Sequence, residues 1–327
     1  MTWAGRKVVV TGAGGFIGSH LTERLLSEGA SVNAFVHYNA LGGTGWLSAL
    51  PHNDDLTITA GDVLDRDSVM HALDGAEVLF HLAALIAIPY SYRAPLSYLR
   101  VNAEGTLNVL QCAREAKVMR VVHTSTSEVY GSAQYVPIDE RHPQVGQSPY
   151  SASKIAADKM AESAHLSFGV PVVTVRPFNT FGPRQSARAV VPTIISQCLT
   201  GDVVRLGSVH PVRDLNYVSN TVDGFLLAGS VEGIEGTTVN LGTGREISIK
   251  DLAQTIVGMT GRDIRIVHDA GRKRPDGSEV DRLRADISRA REVLGWEPRV
   301  SLEEGLSKTI EWISENINAF RPDVYVV

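Results

Sequence analysis

From residue 6 to about 177, short β-branched apolar runs alternate with stretches of helical periodicity. Residues 7–11, 31–36, 56–60, 77–81, 120–124 and 170–176 read as strands, and the segments between them carry apolar residues three and four apart. That rhythm predicts a parallel sheet. Runs apolar on both faces, such as Val8-Val9-Val10, suit strands covered by helices on both sides. Right-handed crossovers then give an α/β, doubly wound, Rossmann-type layer architecture. After Pro177 the rhythm changes: loops rich in Gly, Pro and Arg at 181–189, 207–214 and 270–279 interrupt helices and one further strand-like run, 237–241. A smaller, mixed α/β carboxy-terminal lobe is expected. The boundaries read as 1–177 plus about 213–241 for the sheet domain, with 178–212 and 242–327 forming the smaller lobe.

The composition supports two packed lobes and excludes several partners. The chain has 327 residues, 43% hydrophobic and 20% charged, which is enough apolar surface for a core and too little polarity for disorder. Its 31 basic against 36 acidic residues give a net charge of -5. That sign disfavours nucleic acid or an anionic membrane as the main partner. Cys112 and Cys198 stand far apart without neighbours at ligand spacing, which fits a reducing compartment, and the ten histidines form no metal pattern; no metal is expected. His81 and His123 fall inside strands and read as satisfied core imidazoles. Met1 to Thr11 leaves no room for a signal peptide. The most apolar run, 78–90, falls short of the ~20 residues a membrane span needs. A cytoplasmic protein is expected.

Chemistry enters first at the turn after residue 11. Gly12, Gly15 and Gly18 stand three apart between a strand and the amphipathic segment 19–28. The first glycine permits a tight turn, the second lets amides approach a pyrophosphate, and the third packs helix on strand. The helix amino terminus adds free N–H groups and partial positive charge. A dinucleotide site is implied, with Phe16 and Ile17 beside it. An acidic residue about 20 positions on would accept the ribose hydroxyls, but this strand ends in Phe35-Val36-His37-Tyr38-Asn39. His37 suits a 2′-phosphate and Asn39 suits free hydroxyls, so NAD and NADP both stay open here. Asp62 and Val63, after the third strand, sit where an adenine would lie, and Asp62 fits equally as the cap of a helix over 65–73.

Tyr150 and Lys154 are four apart at the start of the helical segment 151–165, so they share a face. An ammonium beside a phenol favours the phenolate, and an unshifted phenol, with a pKa of ~10, would be a poor base at neutral pH. Strand 120–124 runs into Ser125-Thr126-Ser127-Glu128-Val129-Tyr130-Gly131, placing hydroxyls and a carboxylate at the carboxyl edge of a parallel sheet, where such folds bind ligands. The same residues also fit a polar loop with Thr126 capping a turn and Glu128 solvated.

Together, Thr11 to Gly18, His81-Leu82-Ala83-Ala84, Thr124 to Gly131 and Tyr150-Ser151-Ala152-Ser153-Lys154 resemble the extended short-chain dehydrogenase family, whose members modify nucleotide sugars. The likeness continues through Arg176 to Arg184, Arg213 to Val218 and Leu294-Gly295-Trp296. Residues 85–92 and 186–193 are most similar to the legionaminic-acid-type 4,6-dehydratases of nucleotide-linked N-acetylglucosamine.

The resemblance implies an NAD-dependent reaction, with NADP not excluded. Tyr150, assisted by Thr126, takes the 4-hydroxyl proton as C4 is oxidised, and Lys154 tunes Tyr150 and holds the ribose. Glu128 removes the C5 proton so that water leaves from C6. Where dTDP-glucose dehydratases carry Asp before this Glu, the chain has Ser127, as GDP-mannose enzymes do. Leu82, Ala83, Ala84 and Pro177 fall to the cofactor, and Ile86, Pro89, Tyr90, Ser127 and Asn179 to the substrate. Arg213 and Arg274 clamp the diphosphate, with Arg282 competing for the second place; Arg184 and Arg188 belong to a loop over the sugar or to plain surface charge. Relatives dimerise through helices matching 99–115 and 151–165, where Ala152, Ala156 and Ala157 permit close approach or pack on the protein's own sheet. Epimerase and decarboxylase outcomes use the same oxidation, and a non-catalytic dinucleotide sensor is the remaining alternative.

Overall fold

The computed structural model describes residues 2–320 except Lys273 and Arg274. Strands β1 (Lys7–Thr11), β2 (Ser31–His37), β3 (Leu56–Gly61), β4 (Val78–His81), β5 (Arg120–Thr124) and β6 (Val172–Pro177) share one sheet with Thr238–Leu241. The order runs Thr238–Leu241, β6, β5, β4, β1, β2, β3, and each neighbouring pair is parallel. Parallel neighbours require crossovers. The first half supplies them with helices α1 (Phe16–Ser27), α2 (Arg66–Ala72), α3 (Ile88–Ser91), α4 (Pro95–Tyr98), α5 (Gly105–Glu115) and α6 (Pro149–Phe168). Strand order reverses between β1 and β4, so a crevice opens at their carboxyl ends.

The valines of β1 show why both faces are covered. Val8 and Val10 pack with Phe80, Val122 and Val173 in one apolar cluster, while Val9 packs with Leu79, Val121 and Val172 in another. Side chains alternate across a strand, so a run of three valines feeds both layers. Each such buried side chain contributes about 1.5–3 kcal/mol. Cys112 and Cys198 are free and buried within these layers.

Two expectations need correction. The chain after Pro177 carries more than the one further strand expected: beside the run at 237–241, an edge strand of the main sheet, its described residues form six short strands, Asn179–Phe181, Val203–Leu206, Val212–Arg213, Leu215–Tyr217, Ile247–Ser248 and Arg265–His268. With two to four residues apiece they show no period, and pairing with one another creates them. Helix α2 is capped by Asp65, whose carboxylate accepts from the N–H groups of Asp67 and Ser68, and not by Asp62. Residues 99–115 begin as a π-helical turn, Leu99–Glu104, before α5. No helix among the described residues is long and apolar enough to cross a membrane.

Candidate active site

At the end of β1, Gly12 has φ of +71°, and a Cβ there would lie 2.8 Å from the amide nitrogen of Ala83. A Cβ on Gly18 would lie 2.2 Å from the carbonyl oxygen of Gly12. Only glycines allow β1, the β4 exit and α1 to meet this closely. Gly15 is the N-cap of α1 and has no side chain to bond the first free N–H groups, leaving them for a ligand; Phe16 and Ile17 open the helix.

The β4 exit is oriented from below. Thr11 Oγ1 accepts from the amides of Leu82 and Ala83, both at 3.1 Å, and therefore gives its own proton to His81 Nδ1 at 2.9 Å. His81 Nε2–H then donates to Thr106 Oγ1 at 3.0 Å, whose proton goes to the Asn102 carbonyl. Burial holds His81 well below the usual imidazole range, so it stays a neutral core group. Beyond Leu82, Ala83 and Ala84, the loop carries exposed Ile86 and Tyr90 with half-buried Pro89. Tyr98 donates to the Ala87 carbonyl at 2.5 Å and meets Tyr150 edge-on at 6.3 Å between ring centres.

The β5 exit brings the reactive hydroxyl and carboxylate to the same place. Thr126 caps the one-turn helix Ser127–Tyr130, its Oγ1 accepting from the Glu128 amide at 3.2 Å. Capping and facing Tyr150 are compatible: the hydroxyl lies near enough to the Tyr150 phenol to favour its ionised form. Ser127 is buried, and Glu128 is only 8% exposed, which overturns the solvated reading of its charge. The Glu128 carboxylate lies close enough to oppose ionisation of Tyr150.

Helix α6 begins with a reciprocal cap between Ser148 and Ser151, which places Tyr150 and Lys154 on its buried face. Here the expected tuning is corrected. Burial raises the Tyr150 phenol well above its usual range, and only the Thr126 hydrogen bond works against it. Lys154 donates to the Thr124 carbonyl at 2.7 Å, and burial lowers its ammonium to about 8, opposed by Asp158. Lys154 is thus still mostly protonated at neutral pH, but its charge is directed at β5.

Other expected residues fall at varied distances from this centre. His37 is exposed at the end of β2, and Asn39 closes its own loop, with Nδ2 donating to Gly43 O at 2.7 Å and Oδ1 accepting from the Leu41 and Gly43 amides. That engagement removes Asn39 as a free ribose ligand. Asp62 accepts from the Leu64 amide at 2.9 Å, and Val63 is buried beside it. Pro177 ends β6, and two residues on, the Asn179 Oδ1 is buried with no hydrogen-bond partner, as is the Thr124 hydroxyl. Arg213 is buried and lies 3.5 Å from Glu279. Arg184 is tied to α1 through Glu23 at 2.9 Å and Ser19, so it joins its loop to the glycine-turn helix. Arg188 is exposed but near enough for its charge to act on Tyr98. Arg282 is held by Glu246 at 2.5 Å, and Arg274 lies outside the described residues.

Sequence reasoning missed Asn102, Ser153, Asp158 and Arg176, which fix the two reactive segments from behind. Asn102 sits in the π-helical turn with no exposure. Its neighbours in sequence give no sign of the partners it meets.

Comparison with known proteins sets this geometry in context. The family profile described as GDP-mannose 4,6 dehydratase matches residues 9–309. A UDP-glucose 4-epimerase of Mycolicibacterium smegmatis is 36% identical over 313 residues, covering 94% of this chain and 98% of the relative. A UDP-N-acetyl-alpha-D-glucosaminuronate decarboxylase of Bacillus cytotoxicus is 32% identical over 321 residues, covering 95% and 98%. The crystal structure of a dTDP-glucose 4,6-dehydratase from Streptomyces venezuelae with NAD and TYD bound has a TM-score of 0.87 at 30% identity, covering 97% of this chain and 99% of that one.

Proposed function

The chain belongs to the GDP-mannose 4,6-dehydratase family of NAD-dependent nucleotide-sugar epimerases and dehydratases, and from that premise we propose a 4,6-dehydratase acting on UDP- or GDP-linked N-acetylglucosamine. The observation that carries the choice is Glu128: a carboxylate 8% exposed, with no ion-pair partner among the described residues, facing the same phenol as Thr126. Elimination needs a base at C5; epimerisation does not.

The glycine cradle fits a dinucleotide, because any Cβ at Gly12 or Gly18 would close it. Gly12, Gly15, Phe16, Ile17 and Gly18 would hold the pyrophosphate, Asp62 and Val63 the adenosine end, and Leu82, Ala83, Ala84, Tyr150, Lys154 and Pro177 the nicotinamide end. A nicotinamide bound there would supply the hydride acceptor for C4 and the hydride donor for C6, so the net change would be loss of water. Tyr150 would receive the 4-hydroxyl proton as the phenolate, the form that the positive charge of a bound nicotinamide and the nearby Thr126 hydroxyl favour against burial. A C4 carbonyl would acidify the C5 proton; Glu128 would take it and pass it to the C6 hydroxyl, which leaves as water, and C5 would regain a proton from solvent as hydride is delivered to C6, the proton taken up by Tyr150 being returned to solvent. The unpartnered Asn179 Oδ1 and the Arg213 guanidinium suit the ribose and diphosphate of the substrate. Ile86, Pro89, Tyr90, Ser127 and Arg188 line the sugar side.

The identities to an epimerase and a decarboxylase favour a second reading in which the same oxidation ends in inversion or loss of carbon dioxide. Mass spectrometry after incubation with UDP- and GDP-N-acetylglucosamine separates them. Loss of one water supports the dehydratase; unchanged mass with a new sugar epimer replaces it with the epimerase. We place the reaction in the cytoplasm and the dimer contact on α5 and α6, where Leu107, Leu166 and Phe168 are exposed.

A further inference from the structure

One turn beyond Lys154 on α6, Asp158 is 5% exposed and surrounded by donors. Its Oδ1 accepts from His123 Nε2 at 3.1 Å. Its Oδ2 accepts from Ser125 Oγ at 2.8 Å and from Arg176 Nε and Nη2 at 3.1 and 2.9 Å. Between His123 and Ser125 lies Thr124, whose carbonyl takes the Lys154 bond at 2.7 Å. Three consecutive residues at the end of β5 are therefore gripped from one face of α6, immediately before Thr126 and Glu128.

We propose that Asp158 is a positioning residue for the C4 oxidation: it fixes the Thr126–Glu128 segment in register against Tyr150 and supplies the buried anion one turn from Lys154. The proposal rests on the oxidation reading of Tyr150, Thr126 and Lys154. Geometry supports the first half, since the carboxylate alone joins β5 to α6 on both sides of Thr124. The charged surroundings support the second. Facing Lys154 are His81 from β4 and His123 from β5, both kept neutral by burial, and the neutral Tyr150 phenol on its own helix, with Glu128 beyond it. Arg176 on β6 reaches Asp158 and the Tyr130 hydroxyl. Asp158 is the anion that opposes the burial of Lys154.

The test follows Lys154 itself, through the Cε signal of isotope-labelled lysine in the full chain, assigned with Lys154→Arg. In Asp158→Asn the titration midpoint falls by about 1 unit, as expected for loss of an opposite charge in a buried site. With NAD and UDP-N-acetylglucosamine, the alkaline limb of turnover moves down with it while KM is kept. Asp158→Glu, which retains the charge, holds the midpoint near that of the unmodified chain. An unmoved midpoint in folded Asp158→Asn overturns the proposal. Should that variant not fold, the unmodified chain decides: a Lys154 midpoint above neutrality supports the role, and one below neutrality removes it. Tyr150→Phe keeps the two ideas apart. Normal turnover there sinks the oxidation reading, whereas an inactive Tyr150→Phe with an unmoved Asp158→Asn midpoint removes only Asp158.

Discussion

Asn102 joins Leu85 to Ser153: its Oδ1 accepts from the Leu85 amide at 2.8 Å, and its Nδ2 donates to the Leu85 carbonyl at 3.0 Å and to Ser153 Oγ at 2.9 Å. Leu85 belongs to the β4 exit and Ser153 precedes Lys154, so one amide sets the spacing between the loop and the helix that frame the crevice. The π-helical turn Leu99–Glu104 aims it there. Asn102→Ala leaves both Leu85 groups without that partner, and each buried group left unpaired costs about 1–3 kcal/mol. Urea unfolding should show a loss of at least about 2 kcal/mol. An unchanged midpoint would mean the bridge contributes nothing.

Gly18→Ala tests the glycine cradle. A methyl 2.2 Å from the Gly12 carbonyl cannot be accommodated without moving α1 off β1. Overpacking of this kind costs about 1–3 kcal/mol. Because the α1 amides move with the helix, calorimetric titration should show NAD bound at least about tenfold more weakly. Wild-type affinity in a folded Gly18→Ala protein would place the dinucleotide elsewhere.

Tyr150→Phe and Thr126→Val address the proton transfer. Each removes one oxygen from the pairing of buried Tyr150 with half-buried Thr126 while leaving the glycine turn intact. Turnover should fall by about 10²–10⁴, the usual contribution of a positioned acid or base, with NAD affinity retained. A loss of NAD binding equal to the loss of turnover would show that these side chains hold the cofactor and do no proton chemistry.

How much of this was legible in the chain follows from the range of each interaction. The alternation at Val8-Val9-Val10 and the three spaced glycines are local patterns, and strand, turn and helix fell where they indicated. Tyr150 and Lys154 share a face because four residues make one turn. The grip of Asp158 on β5 was not legible, since Asp158 meets His123 across 35 positions and Arg176 across 18. Nor was the sign of the Tyr150 shift, which depends on burial that only the folded crevice imposes. The two-residue strands Val212–Arg213 and Ile247–Ser248 are set by pairing across more than thirty positions, with Val212 also bridging Arg282.

Glu128→Gln separates oxidation from elimination. The amide keeps the shape of the side chain but cannot accept the C5 proton, so transient NADH absorbance should persist while solvent deuterium no longer enters C5. Overall turnover should drop by about 10²–10⁴. Undiminished deuterium uptake would take Glu128 out of the base role and move the assignment toward inversion at C4.

Acid should act on the fold through Asp158. Burial by itself would raise this carboxyl, but the His123 hydrogen bond and the charges of Arg176 and Lys154 outweigh it and bring it to about 2 from an ordinary 3.8. In the unfolded chain Asp158 takes up a proton near 3.8, while in the folded chain it stays ionised down to about 2. Its stabilising contribution is therefore fully present above the higher value and is lost as pH falls through the lower one. The difference in unfolding free energy between the unmodified chain and Asp158→Asn should accordingly shrink as pH drops from about 6 to about 2, read from urea curves at each pH. A difference constant over that range would show that the buried carboxyl carries no charge worth protecting, and the grip on β5 would then rest on hydrogen bonds alone.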